Sequence, residues 1–200
     1  MIQPQLILAS GSVTRLRLLL QAGVPLTAES PGIDEDVIKQ AGRKQGHGPA
    51  WVAATLAELK ARRVSLRHPG VLVLGADQML ICGGVWFDKP DSRAAARNQL
   101  LQLRGRTHQL LSSAVVVRDG EQVWQTTAQA ELTMRAFSDA FLEQYLDQAG
   151  DEVLHAVGAY RVEEGGIQLF SRIDGDHFVI LGLPLLPLLV FLRDVEILAS

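Results

Sequence analysis

The stretch VLVLGADQML, residues 71–80, decides the fold. Its first six residues, Val71 to Ala76, are apolar without alternation, the pattern of a strand covered on both faces. Such strands belong to the centre of an α/β sheet. Asp77 then interrupts the run, although an ionised carboxylate without a partner is costly to bury. Either Asp77 has a cationic partner, or it sits where the strand ends at a cleft. The expectation is a strand over 71–76 with Asp77 at its carboxyl end.

Working outward, Gln5 to Ala9 reads as another short buried strand, followed by Ser10-Gly11-Ser12 and a helix over 14–22. Strand, Gly/Ser turn and helix is an arrangement that aims backbone N–H groups at an anion. The same residues also fit a plain helix cap, with Ser12 as acceptor. Val24 to Asp34 is turn-rich, with a strand ending at GIDED. Pro49 to Ser65 carries Trp51, Val52, Leu56, Leu59 and Val64 at helical spacing, and Lys60 suits the C-terminal end of its dipole. Ile81 to Trp86 suggests a hairpin around Gly83-Gly84. Ser92 to Arg104 reads as a capped helix closed by Gly105. His108–Val117 and Val123–Arg135 read as an antiparallel pair across RDGEQ. Ser138 to Gln148 reads as a helix, Gly166–Ser171 and His177–Leu181 as strands around DGDH, and Pro184 to Arg193 as a final helix with proline near its start. No repeat or low-complexity tract divides the chain, so one domain over 1–200 is expected. Its architecture is α/β, a mixed central sheet flanked by helices.

Composition narrows the classes. The 200 residues carry a formal net charge of −3 without a basic block, which argues against a nucleic-acid polymer as partner. One cysteine, Cys82, excludes an internal disulfide, and no Cys/His group has zinc spacing. A reducing, cytoplasmic setting is expected. The N-terminal residues lack a basic start and long apolar core. The apolar stretch Phe178–Leu192 is interrupted by Gly182, Pro184 and Pro187 and is short for a span, so no membrane association is expected.

Ligands of open α/β sheets sit beyond the carboxyl ends of the strands. The sequence places there the 10–12 loop with Arg15, the acidic pair Asp34-Glu35, Asp77, and Lys89 in WFDKP, all read as loop residues. Carboxylates suit hard divalent cations, cations and backbone N–H groups cradle phosphate, and a carboxylate activates an attacking water. Phosphoryl chemistry uses such parts. No Walker-type loop is present.

At this point the chain resembles the Maf proteins, nucleoside triphosphate pyrophosphatases of an inosine-triphosphatase-like fold with a cleft between two lobes. LILASGSVTRLRLL (6–19), IDE (33–35), LAELKA (56–61), VLGADQ (73–78), DKP (88–90), LRGRTHQ (103–109), GAY (158–160) and GLPL (182–185) match the family's elements in order. The resemblance implies hydrolysis of a nucleoside triphosphate between its α and β phosphates, with Mg²⁺ or Mn²⁺. It implies Asp77 as base or metal carboxylate, Glu35 as metal or water ligand, and Arg15, Lys60 and Lys89 on the triphosphate. Ser10 and Ser12 line the loop, and a homodimer is implied. The chain departs from the family pattern at Val13 and Thr14, where proline and arginine stand in the family loop, and lacks the late lysine. Gln78 after the aspartate and Glu163 in place of the late glutamine resemble the 7-methyl-GTP branch. Thr14, Gln78 and Glu163 are thus the specificity candidates, with dTTP and UTP as the alternative substrates. A nucleotide-binding regulator of cell division with little turnover is the alternative of another class. His108 and Cys82 read as structural.

Overall fold

The computed structural model describes residues 6–199; the expected strand start at Gln5 lies outside them. Seven strands form one mixed sheet: β1 (Leu6–Ala9), β2 (Thr27–Glu29), β3 (Leu72–Cys82), β4 (Val85–Phe87), β5 (Thr107–Arg118), β6 (Glu121–Met134) and β7 (Phe170–Asp174), in the order β2-β1-β3-β5-β6-β7 with β4 paired to β3. β1 pairs in parallel with β2 and with β3, whereas β3–β4 and β6–β7 are antiparallel. The helices are α1 (Val13–Gln21), α2 (Glu35–Lys44), α3 (Pro49–Ser65), α4 (Arg93–Leu103), α5 (Asp139–Ala149), α6 (His177–Ile180) and α7 (Leu185–Asp194). The mixed sheet with flanking helices is the expected α/β architecture.

Two tight turns follow from residues that tolerate positive φ. Gly83 (φ 57°) and Gly84 (φ 80°) join β3 to β4, and Asp119 (φ 52°) and Gly120 (φ 79°) join β5 to β6. Positive φ at both central residues is the hairpin turn whose twist matches its strands.

The chain divides into two compact units, with boundaries inside β3, β5 and β6. The first takes in the described residues up to Gln78, Leu111–Ala128 and those from His177 onward. Strand alternation gives it two cores. On one face Leu6, Leu8, Leu72, Leu74 and Ala76 pack with Leu18 and Leu19 of α1 and Leu185, Leu188 and Leu192 of α7. On the other face Ile7, Ala9 and Val73 pack with Ala57, Ala61 and Val64 of α3. Gly75 lies under α3: a Cβ there would fall 2.0 Å from the Ala57 carbonyl oxygen. Only glycine at 75, under the small residues Ala57 and Ala61, lets α3 approach β3 so closely.

The second unit comprises Met79–Leu110 and Gln129–Asp176. Arg97–Glu143, Arg93–Asp147 and Arg104–Asp139 ion pairs lace α4 to α5 over a core containing Leu100, Leu103, Leu142 and Leu146. His108, Tyr160 and Phe170 form an aromatic cluster, in which His108 Nε2 lies 2.7 Å from the Tyr160 hydroxyl.

Three expectations are corrected. β3 does not stop at Ala76 but runs to Cys82: Asp77 is an interior strand residue, because Met79 and Leu80 resume the buried pattern. Glu35, read with Asp34 as a loop residue, opens the helix α2. Its N-cap is Asp34, whose Oδ1 accepts from the backbone N–H of Asp36 and Val37. The segment read as a strand at His177–Leu181 is the short helix α6, and the only strand in that region is β7. Among the described residues, no helix is long and apolar enough to cross a membrane.

Candidate active site

The alternation that sorts the core also sorts the polar residues of β3. Asp77 shares the parity of Val73 and Gly75, so it projects on the α3 face. There its Oδ1 accepts a hydrogen bond from Lys60 Nζ at 2.6 Å. Lys60 stands on α3 one turn beyond Ala57, whose carbonyl oxygen the Gly75 approach brings close. The same ammonium lies 2.7 Å from Glu35 Oε1 at the first turn of α2. Lys60 therefore bridges two carboxylates contributed by a strand and a second helix. Asp77 is 4% exposed and Lys60 5%.

The other carboxylate oxygen, Asp77 Oδ2, is buried and has no hydrogen-bond partner. A buried acceptor on a charged group is normally satisfied, and an unmet one in a native fold marks a position for a ligand or ion. Burial pushes Asp77 above the usual carboxylate range. Lys60 and Arg15 pull it back, and Glu35 adds to the rise. A carboxyl raised by burial and held by a named cation has the properties of a general base.

Ser12 caps α1, its Oγ accepting from the Arg15 backbone N–H at 3.3 Å, and its own N–H donates to Ser10 Oγ at 3.2 Å. The capping reading of this loop is thus realised in the structure. The Arg15 guanidinium is anchored: Nε donates to the Gly182 carbonyl at 2.8 Å, and Nη1 donates to the Ala76 carbonyl at 2.9 Å and Ser10 Oγ at 3.4 Å. Burial lowers its pKa, against the attraction of Asp77 and Glu35.

Gln78 follows the opposite parity and points to the other face of β3. Its Nε2 donates to Ser112 Oγ (3.1 Å), the Val179 carbonyl (3.1 Å) and the Ile180 carbonyl (3.0 Å). Adjacent residues of one strand thus serve different tasks: Asp77 faces charge, and Gln78 ties down α6.

The first unit alone brings together Ser10, Ser12, Arg15, Glu35, Lys60 and Asp77, with Thr14 half-buried on α1. Lys89 and Glu163 belong to the second unit. Lys89 is exposed in the loop after β4, and Glu163 lies beside Arg161, whose Nη2 is 3.4 Å from its Oε1. One residue was not singled out from the sequence: Lys39, one turn beyond Glu35, buried, with Nζ 3.9 Å from Glu35 Oε2. The acidic first turn of α2 and the Arg43-Lys44 pair in its last turn are the helix-dipole signal that marks this helix in the sequence.

Among the described residues, no three His, Cys, Asp or Glu side chains gather into a metal cage. Two carboxylates with an unmet buried oxygen are instead the kind of partial site that Mg²⁺ completes with water and phosphate oxygens. The donor set therefore fits a divalent ion.

Fold and site define a class: an α/β protein with a paired-carboxylate, lysine-bridged site beside a capped Ser/Gly loop. The comparisons make it particular. The family model described as Maf-like protein matches residues 5–195, and the chain belongs to that family. It is 57% identical over 94% of its length to the nucleoside triphosphate pyrophosphatase of Paramagnetospirillum magneticum, covering 96% of that protein. It is 52% identical to the protein of the same name from Rhodospirillum rubrum, over 98% of both chains. A solved nucleoside-triphosphatase (dITP/XTP pyrophosphatase) from Mycobacterium abscessus superposes with a TM-score of 0.42 at 16% identity, over 66% of this chain and 75% of that one.

Proposed function

We propose that this protein is a nucleoside triphosphate pyrophosphatase, releasing pyrophosphate and a nucleoside monophosphate. The observation that carries the reading is Asp77: buried in β3, one oxygen on Lys60, the other unmet. Asp77 takes the proton of the attacking water. Its raised pKa strengthens it as a base, while Lys60 keeps it ionised. Lys60 also fixes Glu35, so the two carboxylates are oriented by one ammonium rather than by flexible stems. Arg15 and the Ser10–Ser12 loop hold the anion side of the site, and Lys89 supplies a further cation to the triphosphate. Asp77 Oδ2 and Glu35 would hold Mg²⁺ or Mn²⁺, which neutralises the charge developing on the phosphate oxygens. The name carried by the relatives at 57% and 52% identity supports the same chemistry.

For the base, we favour 7-methyl-GTP. Glu163 is the residue that carries this preference, since a carboxylate accepts from guanine N1–H and its exocyclic amine and attracts a cationic ring. Gln78 acts through the 179–180 carbonyls it holds. Thr14 lacks the aromatic surface a charged base would stack on. Pyrophosphate release across 7-methyl-GTP, GTP, dTTP, UTP, CTP, ATP and ITP with Mg²⁺ tests this. A lead for 7-methyl-GTP that Glu163→Gln erases supports the preference, and a lead for dTTP and UTP replaces it while leaving the chemistry in place. Nucleotide binding without turnover in any of the seven favours the regulatory reading. The homodimer and a cytoplasmic setting belong to the same proposal; a single monomeric species in sedimentation at micromolar concentration removes the dimer.

A further inference from the structure

The one-turn helix α6 and the turn after it are held by polar groups from the interior of the sheet. The buried Ser112 hydroxyl on β5 accepts from Gln78 Nε2 at 3.1 Å and donates to the Val179 carbonyl at 2.7 Å. Gln78 Nε2 also donates to that carbonyl and to the carbonyl of Ile180. A third donor reaches the Val179 carbonyl, the Gly182 backbone N–H at 3.0 Å. The carbonyl of Gly182 in turn accepts from Arg15 Nε at 2.8 Å. A continuous hydrogen-bonded path therefore joins Ser112, Val179, Gly182 and Arg15, all within the first unit. Four residues of helix are too few to hold themselves in place. Burial of Leu183 docks the segment, but apolar burial has no direction. The bonds from Ser112 and Gln78 do, and they fix where the carbonyls point.

Gly182 is where this path meets the site. Its φ of 92° disfavours any side chain, and a Cβ there would stand 3.3 Å from Arg15 Nη2 and 3.4 Å from Arg15 Nε. The backbone is thus bare where the guanidinium lies against it. Nε is bonded to the Gly182 carbonyl and Nη1, at 2.9 Å, to the carbonyl of Ala76, the residue before Asp77. Two separate backbone segments therefore set the plane of the guanidinium. We propose that Ser112 and Gly182 are positioning residues that aim the Arg15 guanidinium at the triphosphate. The proposal rests on the reading of Arg15 as a triphosphate ligand. A planar cation binds phosphate through N–H donors of fixed direction, so turning its frame weakens the contact even though the charge is kept.

The test is calorimetric binding of inorganic triphosphate to the full chain with Mg²⁺, beside steady-state hydrolysis of the nucleotide that leads the seven-nucleotide panel. Gly182→Ala is expected to weaken binding and raise KM about tenfold, the scale of one hydrogen bond to a charged group. Ser112→Ala leaves Gln78 on the Val179 carbonyl and is expected to do the same about threefold, the scale of one neutral hydrogen bond. In both, kcat should change little, as for an interaction made equally in the ground and transition states. In an Arg15→Ala background no guanidinium remains to be aimed, and neither substitution should weaken binding further. A merely structural role does not produce that non-additivity. If Gly182→Ala does not fold, as judged by circular dichroism, Ser112→Ala carries the comparison. Equal losses with and without Arg15 overturn the proposal. Wild-type turnover with unaltered affinity and KM in the variants also overturns it and leaves the proposed activity standing. A protein that binds inorganic triphosphate, loses affinity in the variants as expected and hydrolyses no nucleotide supports the positioning role and overturns the activity.

Discussion

Among the described residues, Asp77 Oδ2 in the first unit and His108 Nδ1 in the second are buried atoms without a hydrogen-bond partner, as is Gln99 Oε1 in the second. Desolvation is the largest influence on the two titratable groups, and it acts in opposite directions. It pushes the Asp77 carboxyl up and the His108 imidazole down to about 4. The surroundings then differ. Asp77 has Lys60 at 2.6 Å, with Arg15 and Glu35 close enough to act on it. His108 has the Tyr160 hydroxyl and aromatic faces, with no charge among the causes of its shift. Where the fold only needs to fill space, it buries a group that becomes neutral. Where it buries charge, it surrounds that charge with other charges and leaves one oxygen unmet, an arrangement suited to a ligand rather than to stability.

This contrast can be broken experimentally. The largest effect is expected from Lys60→Met, which strips both carboxylates of their shared cation. Removing one partner of a buried pair typically costs about 3–5 kcal/mol, measurable from the urea midpoint, and turnover should fall as well. Asp77→Asn comes next. General-base loss corresponds to about 10²–10⁴-fold in kcat, while stability should fall by less than in Lys60→Met, because Lys60 keeps Glu35 as a partner. An Asn variant that keeps wild-type turnover would erase the distinction between the two groups.

His108 should show the converse. Its imidazole is neutral in the fold, because its pKa falls from the ordinary 6.5 to about 4. Unfolding below pH 6.5 therefore takes up a proton. The stability this group contributes is complete above pH 6.5 and is lost as pH falls towards 4. At pH 5 the linkage amounts to about 2 kcal/mol. His108→Phe should abolish that part of the slope between pH 7 and pH 5 in urea titrations while leaving turnover little changed.

The smallest expected effect is on the pH profile of turnover. Asp77 must be ionised to act as base, so the acid limb of kcat should lie above the ordinary carboxylate range. A Lys60→Met protein stable enough to assay should show that limb displaced further upward, since the main charge holding Asp77 ionised is gone. A downward displacement would contradict the assignment of the base.

Much of the site was legible along the chain, for identifiable reasons. Asp77 stood out because a charge in an apolar strand demands an explanation. Lys60 fell within a helix whose apolar spacing was clear, and α3 has the expected bounds Pro49–Ser65. Ser12 was legible as a cap because capping is local chemistry. What escaped was nonlocal. α2 carries few apolar residues, so Glu35 looked like a loop residue and Lys39 went unnoticed. β3 seemed to end at Asp77, because the partner that allows a carboxylate inside a strand lies seventeen positions earlier, on another element. Gln78 is a specificity candidate by resemblance to the 7-methyl-GTP branch, but the carbonyls it serves, at 179 and 180, are about a hundred residues away and invisible along the chain.

The sequence by itself determined the α/β class, the hairpin turns at 83–84 and 119–120, the helix α3 and the list of charged residues. These follow from periodicity, positive-φ tolerance and solvation cost, all properties of short stretches. Tertiary structure decided which charges meet. Strand alternation sent Asp77 to one face and Gln78 to the other. The bare backbone at Gly75 let α3 come close enough for Lys60 to reach Asp77, and the packing of α2 on α3 placed Glu35 on the same ammonium. A single missing Cβ under a helix is invisible as a catalytic signal in the sequence, yet on it rests the 2.6 Å contact at the centre of the site.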